Sequence, residues 1–257
     1  MLHRPTDAQG KPVEPIRSVV LCPPFAEEEK CSRRLYVELS RALARRGVAS
    51  LRFSYRGTAD SEGQFSDLTV EGALQDTGRA IACLKQEYPH SPMALFGLRL
   101  GGAFAMESLR SHADVQRISV WSPVTNGRSY VRMNFRRKAI RQMMNTGAAS
   151  SVQTESAIPE NEIFDFDGYP VARALWDQLE ALHPGIPTAW QGQVQIVSIG
   201  SIARPSTECT NLSEALAAAG VQTSLECVVS QPFWNLLGLV ECPEIIELTA
   251  QSLSASP

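Results

Sequence analysis

The sequence predicts an α/β chain in which helices cover both faces of a mainly parallel sheet. Short apolar runs rich in Val, Ile and Leu alternate with amphipathic stretches of helical period, which is the pattern of successive strand–helix–strand units. Glycine and proline stand where many of these runs end. Of the 257 residues, 44% are hydrophobic and 20% are charged, so the chain can bury a large core.

Each predicted element follows from this periodicity. The predicted strands cover 18–25, 48–55, 93–98, 115–121, 193–199 and 222–229. The predicted helices cover 32–46, 69–88, 101–111, 206–219 and 243–253. Gly47 is a stop signal for the first helix, and Thr69 with Glu71 in the first turn is a start signal for the second. The carboxyl ends of the parallel strands are where a ligand is expected.

The alternation stops between the fourth and fifth strands. Residues 125–190 carry no strong strand signal and are predicted to form two or three helices joined by the polar stretch NTGAASSVQTESAIPENE. We therefore predict a core built from 1–124 and 191–257, with a helical cap inserted at 125–190 over one end of the sheet.

Composition excludes several classes of function. A net charge of −3 gives no overall reason to expect nucleic acid as a partner. The six cysteines stand singly, without the Cys-x-x-Cys spacing of a zinc or redox site, and are expected to be reduced thiols. The sequence contains no dinucleotide fingerprint, P-loop or cluster of metal ligands, so no cofactor or metal is expected. The polar, proline-broken N-terminus and the absence of a long apolar span predict a soluble, cytoplasmic protein.

The stretch LFGLRLGGAF, residues 95–104, has the glycine spacing of a nucleophile elbow. Gly97 and Gly101 flank a strand-to-helix turn at the positions of the glycines in Gly-x-Ser-x-Gly. The position of the nucleophile is occupied by Arg99. A guanidinium group does not lose its proton at accessible pH, so Arg99 cannot act as a nucleophile or a base.

The other two positions of a catalytic triad also lack their usual residues. An acid is expected after the next-to-last strand, where the loop SIGSIARPS has Ala203 at about that place. A histidine is expected after the last strand, but VVSQPFWNLLG contains none. The four histidines, at 3, 90, 112 and 183, all precede that loop. The sequence therefore predicts that a conventional serine triad is missing.

The oxyanion hole would be incomplete as well. Its donors are expected to be the backbone N–H of Leu100 and one from the first strand-to-helix loop, CPPFAEEE. Two prolines in that loop lack an N–H, so Phe25 is the first residue that could donate. Cys22 and Ser122 follow strands and could replace the missing nucleophile, but neither has an evident histidine partner. The alternative for Cys22 is a buried core thiol.

Arg99 at the start of a helix opposes the helix macrodipole, so an anion is expected beside it. One alternative is an internal carboxylate, with four candidates: Glu27, Glu28, Glu29 and Asp60. The other is the carboxylate or phosphate of a ligand, and both could hold if the ligand contacts the internal pair.

Two further features have alternative interpretations. Arg128, Arg132 and Arg136 lie four residues apart in a predicted helix, which suits contact with anionic lipid head groups or acidic glycans, or a solvated face paired with a nearby acidic stretch. Phe233 and Trp234 occupy the loop where a catalytic histidine would lie. With Ser122 they would line the vacated pocket, and Trp234 could stack on a ligand or simply pack.

Several motifs together resemble the exosortase A system-associated hydrolase 2 family of bacterial proteins with the α/β-hydrolase fold. They are PPFAEE followed by SRR, GLRLG at the elbow, PVTNGRSY with FRRK, GYPVARAL and PFW, and the similarity extends over residues 19–234. The resemblance implies the α/β-hydrolase fold, an arginine elbow as a family property, and an association with extracellular polysaccharide and exosortase loci.

Three hypotheses follow for function. The first is a non-catalytic hydrolase-fold protein that binds an anionic ligand or an envelope-assembly partner. The second is an active hydrolase, acyltransferase or lyase in which Arg99 stabilises negative charge and a carboxylate such as Glu28 or Asp60 is the base. The third is a purely structural subunit.

Overall fold

The computed structural model describes residues 1–146, 163–236, 238 and 240–255. The strands are β1 (Leu2–His3), β2 (Arg17–Cys22), β3 (Val48–Arg52), β4 (Met93–Leu98), β5 (Arg117–Trp121), β6 (Ile163–Phe166), β7 (Tyr169–Ala172), β8 (Gln193–Gly200) and β9 (Gln222–Val229). The helices are α1 (Glu27–Arg45), α2 (Val70–Glu87), α3 (Leu100–Ser108), α4 (Gly127–Thr146), α5 (Arg173–Ala181), α6 (Thr207–Ala218) and α7 (Pro243–Ser254).

Seven strands form one sheet in the order β1-β3-β2-β4-β5-β8-β9. All neighbours are parallel except β1, which runs antiparallel to β3 at the edge. The central strands β2, β4 and β5 are buried throughout, as expected for a sheet covered on both faces. Because β4 lies at the centre, the turn that follows it emerges in the middle of the carboxyl edge.

Helices cover both faces of this sheet, as the periodicity predicts. The leucine stripe of α1 and the apolar side of α7 pack on one face, with Leu39 and Ile245 fully buried. The helices α2, α3 and α6 cover the other face, where Ile81 and Met106 are almost fully buried. The two apolar layers fix each strand in register and hold the strand-to-helix turns in place.

Most predicted elements agree with the structure to within a few residues, and β4 and β9 have the predicted bounds. The first helix is the main exception, since α1 begins at Glu27, five residues before the predicted start. Residues 27–30, EEEK, therefore belong to α1 and not to the loop before it. The three glutamates form the first turn of α1, where negative charge complements the helix macrodipole.

The chain divides into two compact units. The first, Met1–Phe53, Leu74–Pro123 and Gly185–Pro257, contains the large sheet; the second is Ser54–Ala73 and Val124–Pro184. The segment 54–73 joins the second unit because the Val70 N–H donates to Gln178 at 2.8 Å and the Phe65 ring lies 5.0 Å from the Tyr169 ring. The predicted division instead left this segment in the core. That the second unit is a cap over the sheet stays a prediction.

The second unit contains two of the predicted helices, α4 and α5, and also a β-hairpin formed by β6 and β7. The sequence pattern predicts helices alone in this unit. The hairpin strands are four residues each and half exposed, too short to give a clear alternating pattern. Most of the predicted polar connection, residues 147–162, lies outside the described residues. No described helix is long and apolar enough to cross a bilayer.

Candidate functional site

The turn between β4 and α3 has the backbone geometry of a nucleophile elbow. Arg99 has φ 51° and ψ −118°, a backbone conformation that residues other than glycine rarely adopt. Its N–H donates to the Trp121 carbonyl at 3.0 Å, which anchors the turn to the end of β5. The side chain at the tip of the turn is therefore held in a fixed place at the carboxyl edge of the sheet.

The two glycines of the motif are required by close backbone contacts. A Cβ added to Gly97 would lie 2.4 Å from backbone atoms of Gly101 and Gly102. A Cβ added to Gly101 would lie 2.3 Å from the Cys22 carbonyl oxygen and 2.6 Å from that of Pro23. No side chain fits at either position, so the elbow is genuine as backbone although it carries an arginine.

The Arg99 guanidinium contacts Glu28, Ser122 and Trp234 of the same unit. Its Nε lies 3.6 Å from Glu28 Oε1, and both side chains are buried, with exposed fractions of 13% and 7%. Its Nη1 donates to the Ser122 carbonyl at 2.8 Å. Its Cζ lies 5.3 Å from the centre of the Trp234 ring, within the range of a cation–π contact.

The four candidate carboxylates have different positions. Glu28, in the first turn of α1, is the ion-pair partner of Arg99. Glu27 Oε1 lies 3.5 Å from Lys30 Nζ. Glu29 lies in the same helical turn, and Asp60 belongs to the second unit. Helical spacing explains the choice, because neighbouring residues of a helix point in different directions.

The two residues proposed as oxyanion donors lie near the amino ends of helices. Leu100 is the first residue of α3, so its N–H has no acceptor one turn earlier in that helix. Phe25 precedes α1 and its carbonyl accepts the Glu28 N–H at 3.1 Å. Ala26, between Phe25 and α1, has φ 52° and ψ −124°, nearly the backbone conformation of Arg99. Two tight turns of the same kind therefore open α1 and α3.

Tyr36, which had no clear functional signal in the sequence, connects the strand ends that precede these two turns. The buried hydroxyl of Tyr36 in α1 donates to the Cys22 carbonyl at 2.8 Å and accepts the Leu98 N–H at 3.1 Å. Burial raises the pKa of Tyr36 well above its usual value, so the phenol stays neutral. Its signal in the sequence was only a tyrosine on the apolar stripe of α1, where packing is the ordinary expectation.

The triad positions carry no acid and no imidazole in the described residues. The loop after β8 contains Ala203 and exposed neighbours, and Ser206 caps α6 by accepting the Cys209 N–H at 3.2 Å. His90 and His112 precede β4 and β5, so they lie at the edge of the sheet opposite to Arg99. His3 lies 3.3 Å from the Arg52 guanidinium, and His183 belongs to the second unit.

The alternative nucleophiles are engaged in the core. Cys22 is fully buried, and burial raises the pKa of its thiol to about 12, so it is not a thiolate at neutral pH. Ser122, with φ 38°, uses its hydroxyl to accept the Ile199 N–H at 3.0 Å. The interpretation of Cys22 as a core thiol therefore agrees with the structure.

The aromatic residues after β9 lie in the core around Trp121. Phe233 is fully buried and its ring centre lies 6.1 Å from that of Trp121, while Trp234 lies 5.3 Å from Phe233. Trp234 is thus in contact with both the core and Arg99. It occupies the place where a catalytic histidine would follow the last strand.

Residues 14–162 match the family model described as serine aminopeptidase, S33. The chain belongs to this family. No curated protein matches the chain. The α/β-hydrolase fold that the sequence implied is confirmed, whereas its resemblance to the exosortase-associated family stays a prediction.

Solved structures with the same fold come from several bacteria. Est1E from Butyrivibrio proteoclasticus with bound ferulic acid is 17% identical, with a TM-score of 0.68 over 99% of this chain and 91% of that one. The esterase domain of a Rhodothermus marinus protein is 16% identical, with a TM-score of 0.58 over 98% and 89%. A serine hydrolase without a lid from Xanthomonas campestris is 14% identical, with a TM-score of 0.55 over 100% and 89%. At these identities the likeness concerns the fold alone.

Proposed function

We propose that this chain is a member of the S33 family that does not hydrolyse through a serine nucleophile and instead binds an anionic ligand or partner at Arg99. The observation that carries the proposal is the strained elbow with an arginine at its tip. Such a backbone costs about 1–3 kcal/mol and persists where the surroundings enforce it. A turn kept under strain without a serine supports a role for the guanidinium itself.

Carboxylate or phosphate is the ligand chemistry that suits this site. A guanidinium offers planar pairs of donors to such groups, and the first amides of α3 add partial positive charge beside it. Glu28 occupies part of this site as an internal anion. A ligand anion would bind at Arg99 by exchanging with Glu28.

Reaction with a fluorophosphonate probe tests the absence of serine catalysis. We expect no labelling of the purified protein and no hydrolysis of p-nitrophenyl acetate above the background rate. The variant Arg99→Ser is expected to stay inactive, because the acid and the histidine are missing as well. Labelling at a serine that disappears when that serine is mutated would overturn the proposal.

Thermal shift with inorganic phosphate and acetate tests the anion site. We expect these anions to raise the melting temperature of the wild type and of Arg204→Gln, an exposed arginine variant that serves as control. The shift should be lost in Arg99→Gln and enlarged in Glu28→Gln, where the internal competitor is neutral. An equal shift in all four proteins would contradict binding at Arg99. No shift in any of them would also contradict it and would indicate that Arg99 only forms the internal ion pair with Glu28.

A second candidate function is catalysis by a rearranged site, as a hydrolase, acyltransferase or lyase. The observation in its favour is the buried carboxylate of Glu28 beside Arg99. In this proposal Arg99 stabilises developing negative charge and Glu28 takes a proton. Turnover of an ester or thioester that survives fluorophosphonate treatment and is lost in Glu28→Gln would favour it over binding alone.

The resemblance noted in the sequence supports a biological setting in bacterial exopolysaccharide or exosortase-linked envelope processes. Deleting the gene in its source bacterium and measuring extracellular polysaccharide tests this setting. Unchanged polysaccharide and unchanged surface-protein processing would argue against it.

A further inference from the structure

The helix α4 presents three arginines on one exposed face. Arg128, Arg132 and Arg136 are all exposed and follow one another at intervals of four residues. Residues at this spacing are neighbours on a helix surface, each turned by about 40° from the one before, so the three arginines lie within an arc of about 80°. The intervening Tyr130 and Val131 are buried, so the arginines form the outer side of α4 within its unit.

Among the described residues of the second unit, the acidic groups near α4 have other partners. The hairpin beside α4 supplies acidic residues, but Asp167 pairs with Arg141 at 3.1 Å and Asp165 Oδ1 accepts the Gly168 N–H at 3.3 Å. The Asp165 carbonyl accepts a hydrogen bond from Lys138. Lys138 also lies 3.8 Å from the centre of the Phe164 ring. In the described part of the chain, Arg128, Arg132 and Arg136 form no ion pair.

The exposed side of α4 becomes apolar toward its end, where it has turned about a further 80° round the helix. Ile140 and Met144 continue the four-residue spacing and are 49% and 81% exposed, and Met143 is 38% exposed. Exposing apolar side chains to water costs free energy. Apolar side chains beside arginines suit the boundary between lipid head groups and acyl chains.

We propose that this exposed side of α4, comprising Arg128, Arg132, Arg136, Ile140, Met143 and Met144 over about half of the helix circumference, docks on an anionic lipid surface. The arginines would contact lipid phosphates, and the apolar end would enter the outer acyl region. An acidic polysaccharide would satisfy the arginines alone and gives no reason for the exposed apolar end. The proposal is independent of what binds at Arg99, which belongs to the other unit.

Flotation of the purified protein with vesicles tests this proposal. We expect binding to vesicles of phosphatidylcholine and phosphatidylglycerol at 70:30, no binding to pure phosphatidylcholine, and weakening as salt is raised. Arg132→Gln with Arg136→Gln should lower the partition coefficient about tenfold or more. The matched control is Arg41→Gln with Arg45→Gln, which removes two exposed arginines at the same spacing from α1. It should leave binding nearly unchanged.

The apolar end is tested separately with Ile140→Ser and Met144→Ser in one protein. This variant should keep its circular dichroism spectrum and melting temperature but lose most of its binding to the mixed vesicles. Equal losses in the α1 control and the α4 variant would overturn the proposal, because they would indicate an effect of net charge. Binding to soluble dextran sulfate without binding to vesicles would overturn it in favour of a polyanion.

Discussion

Arg99 and Glu28 form a buried pair whose partners depend on each other. The carboxylate lies 3.6 Å from the guanidinium in surroundings that exclude most water. Neutralising one partner of such a pair leaves the other charge in a poor environment. The amino end of α1 also favours a negative charge at Glu28.

Glu28→Gln is therefore expected to lower the free energy of unfolding by about 3 kcal/mol, the low end of the cost of breaking a buried pair. Urea denaturation measures it. The double variant with Arg99→Gln should be less destabilised than the sum of the single variants, since the second change removes a charge that is already uncompensated. Glu27→Gln is the control, because its partner is the exposed Lys30. Additive losses in the double variant would show that the two side chains do not interact.

A substitution at Gly97 tests how closely the backbone is packed at the elbow. Gly97→Ala places a methyl group 2.4 Å from backbone atoms that cannot move without disrupting β4 and α3. We expect a loss of more than about 4 kcal/mol, beyond the ordinary range for one substitution, or failure to fold. Gly200→Ala at the end of β8 is the control, since its added Cβ would meet nothing within 4 Å. Similar melting temperatures for the two variants would contradict the tight packing.

At the scale of residues, the sequence predicts which charges need a partner better than it predicts which side chains are in contact. The need for an anion near Arg99 followed from the helix macrodipole, and Glu28 was among four candidates. The hydrogen bond to the Ser122 carbonyl and the contact with Trp234 could not be predicted, because residues 99, 122 and 234 are distant in sequence. Any backbone carbonyl can accept such a bond, so the sequence carries no signal for it.

At the scale of elements, Tyr36 connects α1 to both β2 and β4. Its hydroxyl links the Cys22 carbonyl to the Leu98 N–H next to the elbow. Tyr36→Phe keeps the ring and leaves a buried N–H without this acceptor, so we expect a loss of about 1–3 kcal/mol in urea denaturation. Ser40→Ala on the same helix is the control, since its buried hydroxyl bonds to a carbonyl of its own helix. Equal losses of stability in the two variants would show that the Tyr36 hydroxyl contributes no more than an ordinary buried hydroxyl.

The bounds of the elements show which local signals are reliable. The strand β4 was predicted correctly because an apolar run ends at the glycine of the elbow. The start of α1 was misplaced because three consecutive glutamates look like a loop, although they are favourable in a first turn. The two-residue strand β1 is set by pairing of Leu2 with Leu51, which no local pattern encodes.

At the scale of the whole molecule, the pH dependence of stability should reflect two partly buried histidines. Burial lowers the pKa of His3, with Arg52 as the next cause, and burial followed by Lys85 lowers the pKa of His112. Below about pH 6.5 the unfolded chain therefore binds protons that the folded chain does not bind. Stability that these groups contribute is present above that pH and is lost as the pH falls toward the lowered pKa values.

We expect the wild type to lose free energy of unfolding between pH 7 and pH 5.5, measured by urea denaturation at several pH values. His3→Asn with His112→Asn should flatten this slope, because the groups that take up protons on unfolding are removed. His90→Asn with His183→Asn removes the same number of imidazoles from exposed positions and should keep the slope of the wild type. A slope that is unchanged by the first pair, or flattened equally by both, would mean that carboxylates elsewhere control the acid sensitivity of the fold.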